Sequence, residues 1–246
     1  MTRFFIPTEQ ISANTVILKG TDRHHLLNVM RRDIGSKITV LDGKGAEYVA
    51  VIKEIGPDSV VGEIVATVAR AAEPRLKIRL AQSLPKADKF ELLLQKNTEI
   101  GVGIFQPVLT ERSTIKLDPG AAQKKEERWR KIIQEAAEQS GRQVIPQLEP
   151  VRNWPEVLAA LPNGLCLIPW EGEQEASLKK ILANTPEFPE LVTILIGPEG
   201  GFSQAEVNQA RERGAIPVTL GPRILRTETA GLVVATALLY HYGDLG

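Results

Sequence analysis

Eleven residues, "LGPRILRTETA" from Leu220 to Ala230, hold the densest chemistry in this chain. Arg223, Arg226, Thr227, Glu228 and Thr229 crowd in front of a helix that is nearly apolar all round. Such a helix must be buried, so its polar entry is held in a fixed place. A guanidinium there is costly unless something anionic faces it. Beside a carboxylate it can stabilise an anion as that anion forms, while the carboxylate takes the proton. A second segment, "IGPEGGFSQAEV" from Ile196 to Val207, adds Glu199. Simpler uses compete with this reading. Arg226 can pair with Glu228 or with a carbonyl, and acidic groups such as Glu199 and Glu228 favour helix N-termini in any case.

Each segment breaks a strand with Gly-Pro, at Gly197-Pro198 and at Gly221-Pro222, and each is followed by a helix. Gly200-Gly201 lets a ligand approach the backbone. Ser203 and Glu206 make an S-x-x-E capping box, so a helix starts at Ser203. Neither a phosphate-binding G-x-x-x-x-G-K-[ST] loop nor a G-x-G-x-x-G dinucleotide fingerprint occurs, which argues against nucleoside triphosphates and NAD. His24 and His25 lack a Cys or spaced carboxylate partner, so no metal is expected. Cys166 is the single cysteine and fits a reducing compartment. "MTRFFIPTEQ" carries charge and proline where a signal peptide would be apolar. Leu232 to Tyr240, the longest strongly apolar stretch, is far below the roughly 20 residues that span a bilayer. The reading is a soluble, cytoplasmic protein with no membrane partner.

The net charge of zero hides a gradient. Residues 74–150 hold 14 basic and 10 acidic residues, and residues 151–246 hold 7 and 11. The middle of the chain would welcome a polyanion, although solvated helix faces account for the same charges.

The elements that must position these groups fall into two patterns. "KITVLDGKGAEYVAVIKEI" (37–55) alternates about a turn at Asp42 to Gly45 and reads as a hairpin, with "SVVGEIVATVA" (59–69) as a third strand and "DRHHLLNVMRR" as a short helix before them. A small β-barrel over residues 1–72, closed to hide its edges, is the expectation. Pro74 marks a boundary, and residues 73–246 alternate strand and helix: strands at "LKIRLAQSL", "IFQPVLT", "LCLIPW" and Val192–Ile196, helices at "DKFELLLQKNTEIGV", "KKEERWRKIIQEAAEQSGR" and "EASLKKILAN". That is an α/β fold with a mostly parallel sheet covered on both faces, and ligands sit beyond the carboxyl ends of such strands. Both Gly-Pro loops would lie there.

"IGPEGGFSQAEV" and "LGPRILRTETA" closely resemble the two cofactor loops of the SPOUT superfamily of S-adenosylmethionine-dependent RNA methyltransferases. More narrowly, the chain resembles the ribosomal RNA small-subunit methyltransferase E family, which methylates N3 of a uridine in 16S ribosomal RNA. "RHHLLNVMRRDIG" (23–35) matches that family's PUA-like barrel, and "QKNTEIGVGIFQPVLTERS" (95–113) and "AAEQSGRQVIPQL" (136–148) match its middle motifs. Met30, where the family usually has Leu, is a mild departure.

The resemblance implies a C-terminal trefoil knot, against the general rarity of knots, and a homodimer. It places S-adenosylmethionine among Gly197, Gly200 and Gly221, with Leu220, Ile224 and Leu225 against the adenine, although core packing is the plain alternative for these three. Pro169, Leu195, Pro198, Arg223, Thr227 and Thr229 complete the cofactor set. Arg226, Glu228 and Glu199 are the catalytic candidates, with Arg226 acting on the uracil anion and either Glu228 or a water taking the proton. Lys86, Arg112, Gln139 and Arg142, with Arg23, His24, Arg31 and Arg32 of the barrel, are the RNA candidates; surface solvation is the alternative for each. Two other readings remain: a non-catalytic RNA-binding protein on the same scaffold, and a relative that methylates ribose.

Overall fold

The computed structural model describes residues 3–69, 72–86, 89–113, 119–185 and 187–245. The chain divides into two compact units, residues 1–73 with 137–145, and residues 74–136 with 146–246. The first unit thus gains a return segment that a single cut near residue 72 leaves out. The return is fastened by charge. Arg142, 5% exposed, pairs with Glu73 at 2.6 Å, while Arg3 pairs with Glu47 at 2.9 Å. Gln143 donates to the same Glu47, and Ala137 packs on Phe5 and Leu41.

Strands β1 (Arg3–Phe5), β2 (Thr15–Lys19), β3 (Lys37–Leu41), β4 (Glu47–Ile55) and β5 (Ser59–Thr67) form one sheet in the order β1-β3-β4-β5-β2. The hairpin falls where alternation places it. Asp42 Oδ1 accepts from the N–H groups of Lys44 and Ala46 and shapes its turn. Phe4 of one edge strand and Val16 and Leu18 of the other share one core with Ile38, Val40, Ala50 and Ile52, so the sheet curls. Full closure, expected from the sequence, is not found: among the described residues no ladder joins β1 to β2. Two register shifts in the β4–β5 ladder bend the sheet instead. The short helix is present as α1 (Gly20–His24), and His25–Val29 continues it as a wider turn in which the Met30 N–H reaches His25 O. It buries Leu26 in that core.

The second unit contains β6 (Lys77–Ser83), α2 (Lys89–Ile100), β7 (Ile104–Leu109), α3 (Pro119–Ser140), β8 (Gln147–Leu148), β9 (Arg152–Asn153), α4 (Trp154–Ala159), β10 (Leu165–Pro169), α5 (Leu178–Ala183), β11 (Leu191–Ile196), α6 (Gln204–Glu212), β12 (Ile216–Val218) and α7 (Thr227–His241). The last turn of α3 belongs to the first unit. The sheet order is β12-β10-β11-β6-β7-β8, with β9 also on β7, and every ladder in it is parallel. All its carboxyl ends therefore share one edge. Alternate residues feed two layers. Ala81, Leu195 and Ile168 pack with Val157, Val207 and Ala210 of α4 and α6, and α7 and α2 pack against each other on β6 and β11.

The apolar helix is less buried than its composition implied. Val234, Ala235, Leu238 and Leu239 of α7 face the core, whereas Val233 is 39% and Tyr240 74% exposed. No helix among the described residues is long and apolar enough to cross a membrane.

Candidate active site

Three loops converge at the carboxyl edge. Residues 170–177 follow β10, residues 197–203 follow β11, and residues 219–226 follow β12. The two Gly-Pro strands are not neighbours. β10 lies between them, so Pro169 at its end stands between the two loops and pairs with Val218.

The first loop is tied to its surroundings by several side-chain and backbone bonds. Pro198 is buried, and Gly201 N–H closes a turn on its carbonyl. A Cβ on Gly197 would come to 3.0 Å from the Gly201 and Phe202 backbone, so a larger residue would push the folded-back loop by a few tenths of an ångström. Arg112 Nη1 donates to Gly200 O at 2.7 Å. Ser203 and Glu206 form the predicted capping box. The 4% exposed Glu206 also accepts from Glu111 N–H, and Ser203 Oγ donates to Glu111. Glu199 Oε1 accepts from Lys86 N–H at 3.0 Å and from Lys89 Nζ at 3.3 Å. Partial burial alone would raise the Glu199 pKa, but these bonds and its own backbone N–H hold it below the usual carboxylate value.

The second loop is nearly bare. Gly221 sits at φ +102, a left-handed conformation that favours glycine, and its N–H reaches only Thr219 Oγ1. Ile224 is 83% exposed. The N–H groups of Arg223, Ile224 and Leu225 find no acceptor among the described residues. Arg226 is exposed and caps α7 without a side-chain hydrogen bond, and its guanidinium has no partner among the described residues. The ion pair with Glu228 allowed by the sequence is not formed. Lys89 stands near Glu228 instead, at 3.7 Å.

Free backbone donors beside Leu220, Ile224 and Leu225 suit a flat heteroaromatic ring with acceptor nitrogens, such as adenine. Apolar side chains there could take its face and the amides its edge. Thr227 is used differently. Its hydroxyl, on a residue 6% exposed, donates to Gly197 O at 2.6 Å and accepts from Gln82 Nε2 at 2.8 Å. One hydroxyl proton cannot serve a ligand as well, so Thr227 clamps the first loop to α7.

Other expectations shift in the same way. Leu195 is fully buried in the α4–α6 layer and is core. Thr229 lies in the first turn of α7, where its N–H bonds Arg226 O. Arg142 is committed to Glu73, Arg23 donates to Gly56 O, and Arg112 braces Gly200, so the fold itself uses these cations. His24 shares a hydrogen bond with Asn28; Arg31, Arg32, Lys86 and Gln139 are exposed. Gln82, Lys89 and Glu111 were not singled out by the sequence. Their partners lie 145, 110 and 95 residues away, and no local spacing announces such pairs. Among the described residues no group of three or more His, Cys, Asp or Glu is placed to hold a metal.

A family model for an RNA methyltransferase domain matches residues 72–239, and one for an RNA methyltransferase PUA domain matches residues 18–65. The chain is 36% identical, over 98% of its length, to Ribosomal RNA small subunit methyltransferase E of Bacillus subtilis, of which it covers 96%. It belongs to this methyltransferase family. A namesake from Mesomycoplasma hyopneumoniae is 33% identical over 96% of this chain and 98% of its own. The crystal structure of a Ribosomal RNA small subunit methyltransferase E from Neisseria gonorrhoeae, bound to S-adenosyl methionine, superposes with a TM-score of 0.87 at 34% identity, over 98% and 97% of the two chains. The curled N-terminal sheet is thus a PUA domain, and the parallel sheet carries the methyltransferase.

Proposed function

We propose that this enzyme transfers the methyl group of S-adenosylmethionine to N3 of one uridine in 16S ribosomal RNA, in the cytoplasm. The single observation that carries this reading is the bare second loop, with Arg226 unpartnered at its end beside free backbone donors. Pro169, Gly197, Pro198, Gly200, Leu220, Gly221, Arg223, Ile224 and Leu225 hold the cofactor. When bound, it supplies an electrophilic methyl on a sulfonium.

The protein's own part is to make N3 a nucleophile. That proton sits between two carbonyls, and the nitrogen lone pair is unavailable until it leaves. The anion spreads over O2, N3 and O4. A guanidinium beside one of those oxygens favours the charged form and fixes the ring. Arg226 has no competing partner among the described residues to break first. Arg112 keeps Gly200 in place from behind, so its contribution to RNA affinity is secondary to that contact.

The exposed Arg31 and Arg32, with Val29 63% and Ile34 64% exposed around them, give the PUA domain a basic surface with apolar edges, suited to RNA. His24, Lys86 and Gln139 add further exposed polar groups. The outward strip of α7, Val233 and Tyr240, favours pairing with a second copy, and the C-terminal trefoil knot belongs to the same reading. The test is mass spectrometry of nucleosides from small subunits methylated by the purified enzyme. N3-methyluridine is the expected product. A 2′-O-methyl nucleoside would mean ribose chemistry, and failure to bind S-adenosylmethionine would mean a non-catalytic RNA-binding protein.

A further inference from the structure

The carboxyl edge of the sheet holds a three-residue charge cluster, and its two carboxylates are not equivalent. Lys89, the first residue of α2, points its Nζ between Glu199 of the first loop and Glu228 in the first turn of α7. The ammonium lies 3.3 Å from Glu199 Oε1 and donates to it. It lies 3.7 Å from Glu228 Oε2, too far for a hydrogen bond but close enough for strong attraction. Glu199 Oε1 also takes the Lys86 N–H. Glu228 Oε2, buried on a side chain 16% exposed, has no hydrogen-bond partner among the described residues.

We infer that Glu228 is the group that receives the uracil N3 proton, and that Lys89 is its positioning residue. This inference rests on the uridine-N3 reading above. The proton passes from N3 to a Glu228 oxygen, its electron pair stays on the ring, and the N3 lone pair then forms the new N–CH3 bond as the sulfonium returns to a thioether. The proton leaves Glu228 for water afterwards.

The distances divide the labour. A carboxylate whose lone pairs already accept two N–H bonds, as in Glu199, is a weak base and a good anchor. A carboxylate oxygen that accepts no hydrogen bond keeps its lone pairs for an incoming proton, but its buried charge is costly without a cation beside it. Lys89 offsets that cost by charge alone and leaves the lone pair free. Among the described residues no other ion pair to Glu228 is formed. Lys89 is the cation of α2 on this side, since the ammonium of Lys96 is spent on Glu99. β6 offers neutral Gln82, with Arg79 bound to Glu149, and β11 has no ionisable residue. Arg226 is the remaining cation nearby, and the uracil oxygens claim it.

The test compares Lys89→Met and Lys89→Arg with wild type in two readouts. One is single-turnover methylation of small subunits across pH. The other is the split between the maximal rate and the subunit concentration that gives half of it. Losing the nearby cation leaves the Glu228 charge uncompensated, so in Lys89→Met the acid limb of the rate profile should move to higher pH while the half-saturating subunit concentration stays near wild type. The maximal rate should fall about tenfold, and Lys89→Arg should restore most of both. Calorimetric cofactor binding near wild type shows that the Lys89→Met protein is folded. A wild-type rate profile in Lys89→Met, with Glu228→Gln inactive, would overturn the role of Lys89 and leave Glu228 as the base. A Glu228→Gln enzyme that still makes N3-methyluridine at the wild-type rate would overturn the whole inference, and a product other than N3-methyluridine would overturn the reading beneath it.

Discussion

The two Gly-Pro loops look alike in sequence and differ in almost every contact. After β11 the chain is fastened by Arg112 on Gly200, Glu111 on Ser203, Glu206 on two backbone N–H groups and Thr227 on Gly197. After β12 it exposes Ile224 and leaves Arg226 with no partner among the described residues. The bonds of the first loop hold it in place, whereas the exposed amides and guanidinium of the second are open to water or to a ligand. The comparison teaches that a shared strand-Gly-Pro-helix pattern serves two purposes. One loop is a scaffold, and the other presents chemistry against it.

The largest break in this comparison comes from the bare loop. Arg226→Ala should lower the single-turnover methylation rate about 100- to 1,000-fold, the range for removing one group that stabilises a developing anion. The acid limb should also shift to higher pH. Its melting temperature should stay close to wild type, because the side chain holds nothing in the fold. Loss of stability on the scale of a core substitution would mean that Arg226 is structural.

Glu206→Ala strikes the scaffold and should do the reverse. It leaves the Glu111 and Ser203 N–H groups without their acceptor, at a cost of about 2–3 kcal/mol measured by denaturant unfolding. Thr227→Val cuts one bridge between the scaffold and α7 and should cost about 1–2 kcal/mol. A stability unchanged in both variants would show that the first loop is not held as described.

The smallest effect is in acid. The Glu199 pKa lies below its usual value in the folded chain. Its stabilising contribution is therefore complete above the unfolded value near 4.5 and is lost as pH falls through the lower folded value. Glu199→Gln should flatten the stability of the protein between about pH 5 and pH 3 relative to wild type. An identical slope in both proteins would remove the Lys86–Glu199 tether from the account.

The scaffold was more legible in the sequence than the site. Ser203 and Glu206 lie three residues apart, and the capping box they spell is local. Alternation marked β3, β4 and β5, and the run Val192–Ile196 marked a buried strand. The edge strands β1 and β2 escaped because they are 3 and 5 residues long, too short for periodicity to register. The helix α4 escaped because its six residues begin with a buried Trp154 and a proline. At the site the sequence named residue types but could not name partners. Arg142 read as an RNA contact until Glu73 was beside it, and Leu195 read as a pocket wall until the α4–α6 layer covered it. Lys89 had no signal at all, because its partners are brought to it by sheet order.

Hydrogen exchange of backbone amides, with and without S-adenosylmethionine, tests the division between the loops most directly. The amides of Arg223, Ile224 and Leu225 should exchange quickly in the free enzyme and slow at least tenfold when the cofactor binds, while the bonded amides of Gly201, Ser203, Glu206 and Val207 should be slow in both states. Protection that appears first in residues 201–207, with 220–225 unchanged by the cofactor, would contradict the assignment of the second loop as the ligand-bearing face.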